Sequence, residues 1–316
     1  MYIAQAFKIK HNWWRYLVGL FIVFIGWQTI GVVPLMVVAF FEAGDLQTFL
    51  KASTDSFMSL GINSNLFLVL IIFSFAMGLA GIWFSNRFLH EQKFSKLTTS
   101  RAKVDWSRIW FSFFLVIIIN AILFAISYVT EPEIYQLNFK LVPFILLLLI
   151  ALFLLPLQTS FEEYLFRGYL MQGIGVIVKN KWVPLLITSV IFGLLHGLNP
   201  EVEKLGYIIM VYYIGTGFLL GIMTLMDEGM ELALGFHAAN NILAAVLVTT
   251  SWSALQTDAI FIDTSEPTAG LTVIVPMLIQ YPIFLLILAK KYKWSGWKDK
   301  LFGKVQPENI VIEDNQ

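Results

Sequence analysis

Apolar positions in this chain run in long unbroken blocks, without the alternation of half-buried strands or the single apolar stripe of a surface helix. Uncharged stretches dominated by Leu, Ile, Phe and Val cover residues 16–41, 56–86, 109–130, 141–161, 182–200, 205–226, 232–257 and 267–289. A helix needs about 20 such residues to cross the hydrocarbon core, so eight transmembrane helices are predicted. The alternating pattern of a membrane β-barrel is absent. No small-residue cleavage site follows the first block, which is therefore expected as a retained helix and not a signal peptide.

Composition narrows the class further. Of 316 residues, 58% are apolar and 13% charged, against roughly 25% charged in an average soluble domain, and the mean hydropathy is +0.75. A soluble globular enzyme, a disordered chain and a nucleic-acid binder would each need far more polar surface. Cysteine is absent, which removes disulfides, thiolate metal sites and a Cys nucleophile. The expected fold is an all-α, polytopic integral membrane protein whose site is recessed in the helical bundle. It reads as a single membrane domain over 1–316, with a motif-bearing core at about 141–257 and a short polar tail, 303–316, expected to be unstructured.

Eight spans put both termini on one side, and the basic residues then sort unevenly. Of the 21 Lys and Arg, all but Lys51, Lys140 and Lys204 fall on the side of the termini, 18 against 3. The positive-inside rule makes that side cytoplasmic, together with the 88–107 loop. Trp13, Trp14, Trp294 and Trp297 stand beside the basic clusters, where interfacial aromatics belong. A compact chain without eukaryotic sorting signals points to a bacterial inner membrane. The acidic stretch Asp227, Glu228 and Glu231 is unusual for a cytoplasmic loop.

Ionisable groups within spans cost at least ~2.5–3.5 kcal/mol each on the insertion scale, so they need a reason. Three clusters qualify: Glu162, Glu163 and Arg167; Phe192 and His196; and His237, Asn240 and Asn241. Glu163 and Arg167 are four apart with the acid first, the favourable helical order, so Arg167 can neutralise Glu163. Glu162 lies ~100° round the helix and lacks that partner, as suits a proton acceptor. The plain alternative is a structural ion pair with an interfacial acid. The pairs Phe192/His196 and His237/Asn241 each share a helix face. If the fourth helix continues to Lys179, broken or kinked by Pro143 and Pro156, Glu162 and His196 lie ~25 and ~22 Å from their cytoplasmic ends at 1.5 Å per residue. Those depths match, and His237 at ~14 Å is shallower. His11 and His90, in basic surface segments, receive no role.

Taken in order, the three clusters resemble the CPBP family (CAAX protease and bacteriocin-processing, also called Abi) of intramembrane endopeptidases. Its pattern is Glu-Glu-x-x-x-Arg, Phe-x-x-x-His and His-x-x-x-Asn on separate membrane helices, matched here from about Gln158 to Leu247. The resemblance implies a CAAX prenyl protease-like hydrolase acting on a peptide or membrane-protein substrate in the bilayer. In such an enzyme Glu162 is the general base, His196 helps to hold the water, and His237 and Asn241 donate to the oxyanion. Glu163, Arg167 and Phe192 support them. The metalloprotease label attached to the family would make Glu162, His196 and His237 ligands of a Zn²⁺ with an open fourth position. There is no His-Glu-x-x-His helix, and a directly activated water is the preferred reading. The competing classes are a transporter using the same residues as a proton relay and a bacteriocin-immunity scaffold without chemistry.

Overall fold

The computed structural model describes residues 1–268 and 270–307. Six of its helices are long and apolar enough to cross a membrane: α1 (Trp13–Ala43), α2 (Ser64–Leu89), α3 (Trp106–Thr130), α4 (Leu141–Val178), α6 (Ile209–Asp227) and α8, whose candidate span is Ile274–Tyr292. Two shorter apolar helices, α5 (Trp182–Leu194) and α7 (Glu231–Leu247), stand between them. The protein is an all-α polytopic membrane protein, and each of the eight predicted blocks has a helix. At 1.5 Å per residue α5 is only ~20 Å long, short of the ~30 Å hydrocarbon core. Both short helices carry motif residues.

The ends of these helices correct several boundaries. The seventh block was read to residue 257, but α7 stops at Leu247 and the chain enters β2 (Val248–Thr249). That strand pairs in parallel with β3 (Phe261–Asp263), which pairs antiparallel with β1 (Tyr135–Leu137), Tyr135 opposite Asp263. The fifth block was read to residue 200, but regular helix ends at Leu194. The fourth does continue to Val178. Pro156 interrupts it at Leu154, between Leu141–Phe153 and Leu155–Glu163. Pro143 breaks nothing, because it sits in the first turn, where the amide it lacks would have no partner anyway. A π-helical stretch, Tyr164–Leu170, follows the paired glutamates before Met171–Val178 completes α4.

Most helices present large apolar side chains outward, such as Phe21, Ile118, Ile122, Val142 and Leu286, as lipid contact requires. Of the six long spans α6 is the most enclosed, with half of its apolar window buried. Its Leu219, Leu220 and Met223 pack with Val116 of α3, Leu232 and Phe236 of α7, and Phe284 and Leu288 of α8. On the far side Val23, Ile82, Phe161, Leu165, Phe166 and Phe192 join α1, α2, α4 and α5. Glycine lets α5 and α6 touch backbone to backbone: a Cβ at Gly217 would lie 2.6 Å from the Ser189 carbonyl oxygen, and one at Gly193 2.9 Å from the Ile214 nitrogen. Without a hydrophobic driving force between helices in lipid, such small-residue contacts hold bundles together.

The connections between the helices gather at two ends. One end holds the first residues, the described start of the tail and the α2–α3, α4–α5 and α6–α7 connections. There Tyr2 and Ile3 are buried, and the Tyr2 hydroxyl donates to the carbonyls of Leu97 (2.6 Å) and Arg167 (3.0 Å). The acidic stretch is met by partners. Arg101 donates to Asp227 (2.9 Å) and Glu231 (3.1 Å), Arg108 pairs with Asp227, and Lys300 with Glu228. The start of the tail, expected to be unstructured, is docked: Val305 is fully buried, its amide donates to the Lys179 carbonyl, and Lys181 donates to Gly303. Residues 308–316 of the tail lie outside the described residues. His90 is likewise not a surface residue. It is 1% exposed, with Nδ1 on the Lys10 carbonyl and Nε2 on the Tyr169 hydroxyl, each at 2.8 Å. Burial, the dominant cause, holds its imidazole below the usual histidine range.

Candidate active site

The three motifs converge. Glu162 and Glu163 end the α-helical part of α4 just before its π-helical stretch, and α7 lays His237 against both. His237 Nδ1 lies 2.7 Å from Glu163 Oε1, and because a carboxylate accepts, that nitrogen carries the proton. Its Nε2 lies 3.5 Å from Glu162 Oε2. Arg167 donates from Nη1 to Glu163 Oε1 at 2.8 Å and from Nη2 to the Gly217 carbonyl at 3.0 Å. Its guanidinium also sits 4.5 Å from the centre of the Phe192 ring, a cation–π contact favoured where water is absent. Glu163 and Arg167 are fully buried, and each charge is offset by the other, although Glu163 Oε2 and Arg167 Nε make no hydrogen bond.

Glu162 sits differently. It is 8% exposed and lines a cavity of about 1130 Å³, as do Phe192, His196 and Asn241. That volume is at or beyond the top of the ~300–1,000 Å³ range of ordinary ligand pockets. Glu163, Arg167 and His237 do not line it. Glu162 Oε1 accepts a hydrogen bond from Gln158 Nε2, while its Oε2 has no hydrogen-bond partner. Gln158 Oε1 in turn accepts from Asn241 Nδ2 at 3.1 Å, and Asn241 Oδ1 accepts from Asn240 at 3.3 Å. A chain of amides thus runs from α7 to Glu162.

His196 is not on the α5 helix face, because it falls in the turn beyond Leu194. The turn keeps its ring against Phe192, with centroids 4.9 Å apart, and stacks it on Tyr213 of α6 at 4.5 Å. Its Nδ1 donates to the Phe192 carbonyl at 2.8 Å, so a neutral ring presents Nε2 as an acceptor. Sequence reasoning missed Gln158, Tyr213 and the Gly217 carbonyl. Gln158 left one signal, an amide four residues before Glu162 at the end of a long apolar run; the other two left none.

The zinc reading fares less well. Among the described residues no three His, Cys, Asp or Glu side chains gather as ligands of one ion. Glu162 and His237 meet, but His196 is held by Phe192 and Tyr213. The donor set does not fit a resident metal.

These features define a helical membrane protein with a recessed polar site. Residues 141–243 match the family described as Type II CAAX prenyl endopeptidase Rce1-like. The resemblance to the CPBP family carried by the three motifs is borne out over that segment. The chain is also 35% identical over 186 residues to the Bacillus subtilis (strain 168) protein YyaK, itself uncharacterized. The alignment covers 58% of this chain and 62% of that relative, so the chain spans less than two thirds of its relative's length. No solved structure matches.

Proposed function

We propose that this protein is an intramembrane endopeptidase that hydrolyses a peptide bond with a water activated by Glu162. The observation that carries the reading is the unequal treatment of two adjacent carboxylates. Glu163 accepts from Arg167 and His237 behind the cavity wall, whereas Glu162 lines the cavity and approaches His237 only to 3.5 Å. A water between Glu162 and His196 Nε2 would give its proton to the carboxylate as its oxygen attacks the scissile carbonyl carbon. The proton then passes to the leaving amine as the C–N bond breaks, which returns Glu162 to its starting state. Asn241 faces the same cavity and is the candidate oxyanion donor, oriented by Asn240 and Gln158. His237 acts as a positioning residue between the two glutamates. The family match supports a protease, and the substrate class implied by its description, a prenylated CAAX chain end, is one candidate among membrane-associated peptides.

The test is a comparison of chain termini in membranes from cells producing the wild-type protein and Glu162→Gln. The amide keeps the shape of the side chain and removes the base, so peptide ends generated by the wild type should vanish while the variant remains folded and inserted. Identical sets of ends in the two membranes refute the assignment.

A further inference from the structure

The cavity opens at one end of the bundle, and that end is opposite the chain termini. Its rim is formed by Met58 from the α1–α2 connection, Leu198 and Tyr207 from the α5–α6 connection, and Trp252 and Glu266 from the α7–α8 connection. All three connections lie at the far end from the termini. Among the described residues, none of the N-terminal segment, the start of the tail or the α2–α3, α4–α5 and α6–α7 connections lines it. Two features make the opening. α5 stops at Leu194 and passes through a turn into a short helix, Pro200–Leu205, whose residues line the cavity, and α7 gives way to β2 after Leu247. The opposite end is shut. Below Glu163 lies the buried Arg167, whose carbonyl is capped by the Tyr2 hydroxyl, and the α2–α3 connection is tied across α6 and α7 through Arg101.

The charge pattern orients this axis. Of the few basic residues at the open end, Lys51, Lys140 and Lys204 are the whole set among the 21 Lys and Arg. The shut end carries the others, apart from Arg167 in the interior, and exposes Trp13, Trp14 and Trp297 beside them. Under the positive-inside rule the shut end is cytoplasmic. We infer that the site is served from the non-cytoplasmic face, and that its substrate is a polypeptide segment presented on that face. A prenylated chain end in the cytosol would meet the shut end. The substrate half of this inference rests on the protease reading above; the sidedness does not.

The absence of cysteine from the 316 residues permits a direct test on the whole chain. Leu198→Cys and Tyr207→Cys place thiols on side chains 98% and 83% exposed at the rim, and Lys298→Cys places one at the shut end. Bacterial cells producing each variant are treated with a membrane-impermeant maleimide before and after lysis. The two rim thiols should label in intact cells, and the Lys298→Cys thiol only after lysis. The reverse pattern overturns the inference. Wild-type protein is then reconstituted into vesicles sorted by orientation with the same labels, and an internally quenched peptide library is supplied outside, with Glu162→Gln vesicles as background. Cleavage confined to vesicles whose rim faces outward supports the substrate assignment. Cleavage confined to the opposite orientation overturns it. Cleavage in neither refutes the protease reading and the substrate half with it, while the labelling result still decides the sidedness.

Discussion

At the end of the bundle that holds the chain termini, every connection is fastened to another. The first residues are buried beneath α4, the α2–α3 connection is ion-paired to α6 and α7, and Val305 is packed into the interior. At the other end, loops of the α1–α2, α5–α6 and α7–α8 connections surround a cavity that descends to Glu162. Charge at the first end is paired with charge and serves stability. At the second, Glu162 lines the cavity, and its only side-chain hydrogen bond comes from the neutral amide of Gln158. The contrast is sharpest between neighbours: Glu163 and Glu162 are adjacent in sequence and face the two regions separately. A buried ion pair walled off from the cavity, such as Glu163 with Arg167, serves the packing, whereas a carboxylate on the cavity wall is within reach of a substrate or a water.

The largest effects should come from crossing that divide. Glu162→Gln should lower turnover by ~10²–10⁴-fold, the usual weight of a general base, with no fall in the thermal midpoint of the purified protein. A midpoint loss with turnover retained would assign Glu162 to the stabilising set. Arg167→Ala should do the opposite, costing about 3–5 kcal/mol by stranding Glu163 as a buried charge. Unfolding in detergent would read it, and an unchanged midpoint would show that the pair is not structural. Asn241→Ala should cut kcat by ~10²–10³ with little change in KM if it serves the oxyanion; a change confined to KM would make it a binding residue.

Smaller effects belong to the fastened end. Arg101→Ala removes donors from Asp227 and Glu231 and should cost about 1–3 kcal/mol, leaving turnover per folded molecule unchanged. A loss of turnover without loss of stability would couple the two ends in a way the hydrogen bonds do not show. The least effect is expected from His90. Burial favours its neutral form, so as pH falls through the ordinary histidine range near ~6.5 the unfolded chain gains the proton first and stability declines. His90→Gln should flatten that slope between neutral and mildly acidic pH, as followed by unfolding; an unaltered slope would place the titration elsewhere.

Much of this was legible from residue order because it is decided within one helix or by the bilayer. A block of apolar residues must form helix in lipid, whatever its neighbours, since no other partner exists for its backbone. The i, i+4 spacing of Glu163 and Arg167 brings them together on any helical backbone, and Pro156 breaks α4 wherever that helix is placed. The motif residues stood out because ionisable groups in such blocks are expensive. Other features depend on how the helices are rotated and how deeply they sit, which local spacing does not encode. The close approach of α5 and α6 at Gly193 and Gly217 brings the Gly217 carbonyl to Arg167. The early stop of α5 puts His196 in a turn against Tyr213 and leaves the cavity open at one end. The rotation of α7 puts His237 between two glutamates and ties Asn241 to Gln158. Sequence alone determined which residues had to be accounted for inside the membrane; tertiary packing decided which of them face the cavity, because that depends on contacts between helices far apart in the chain.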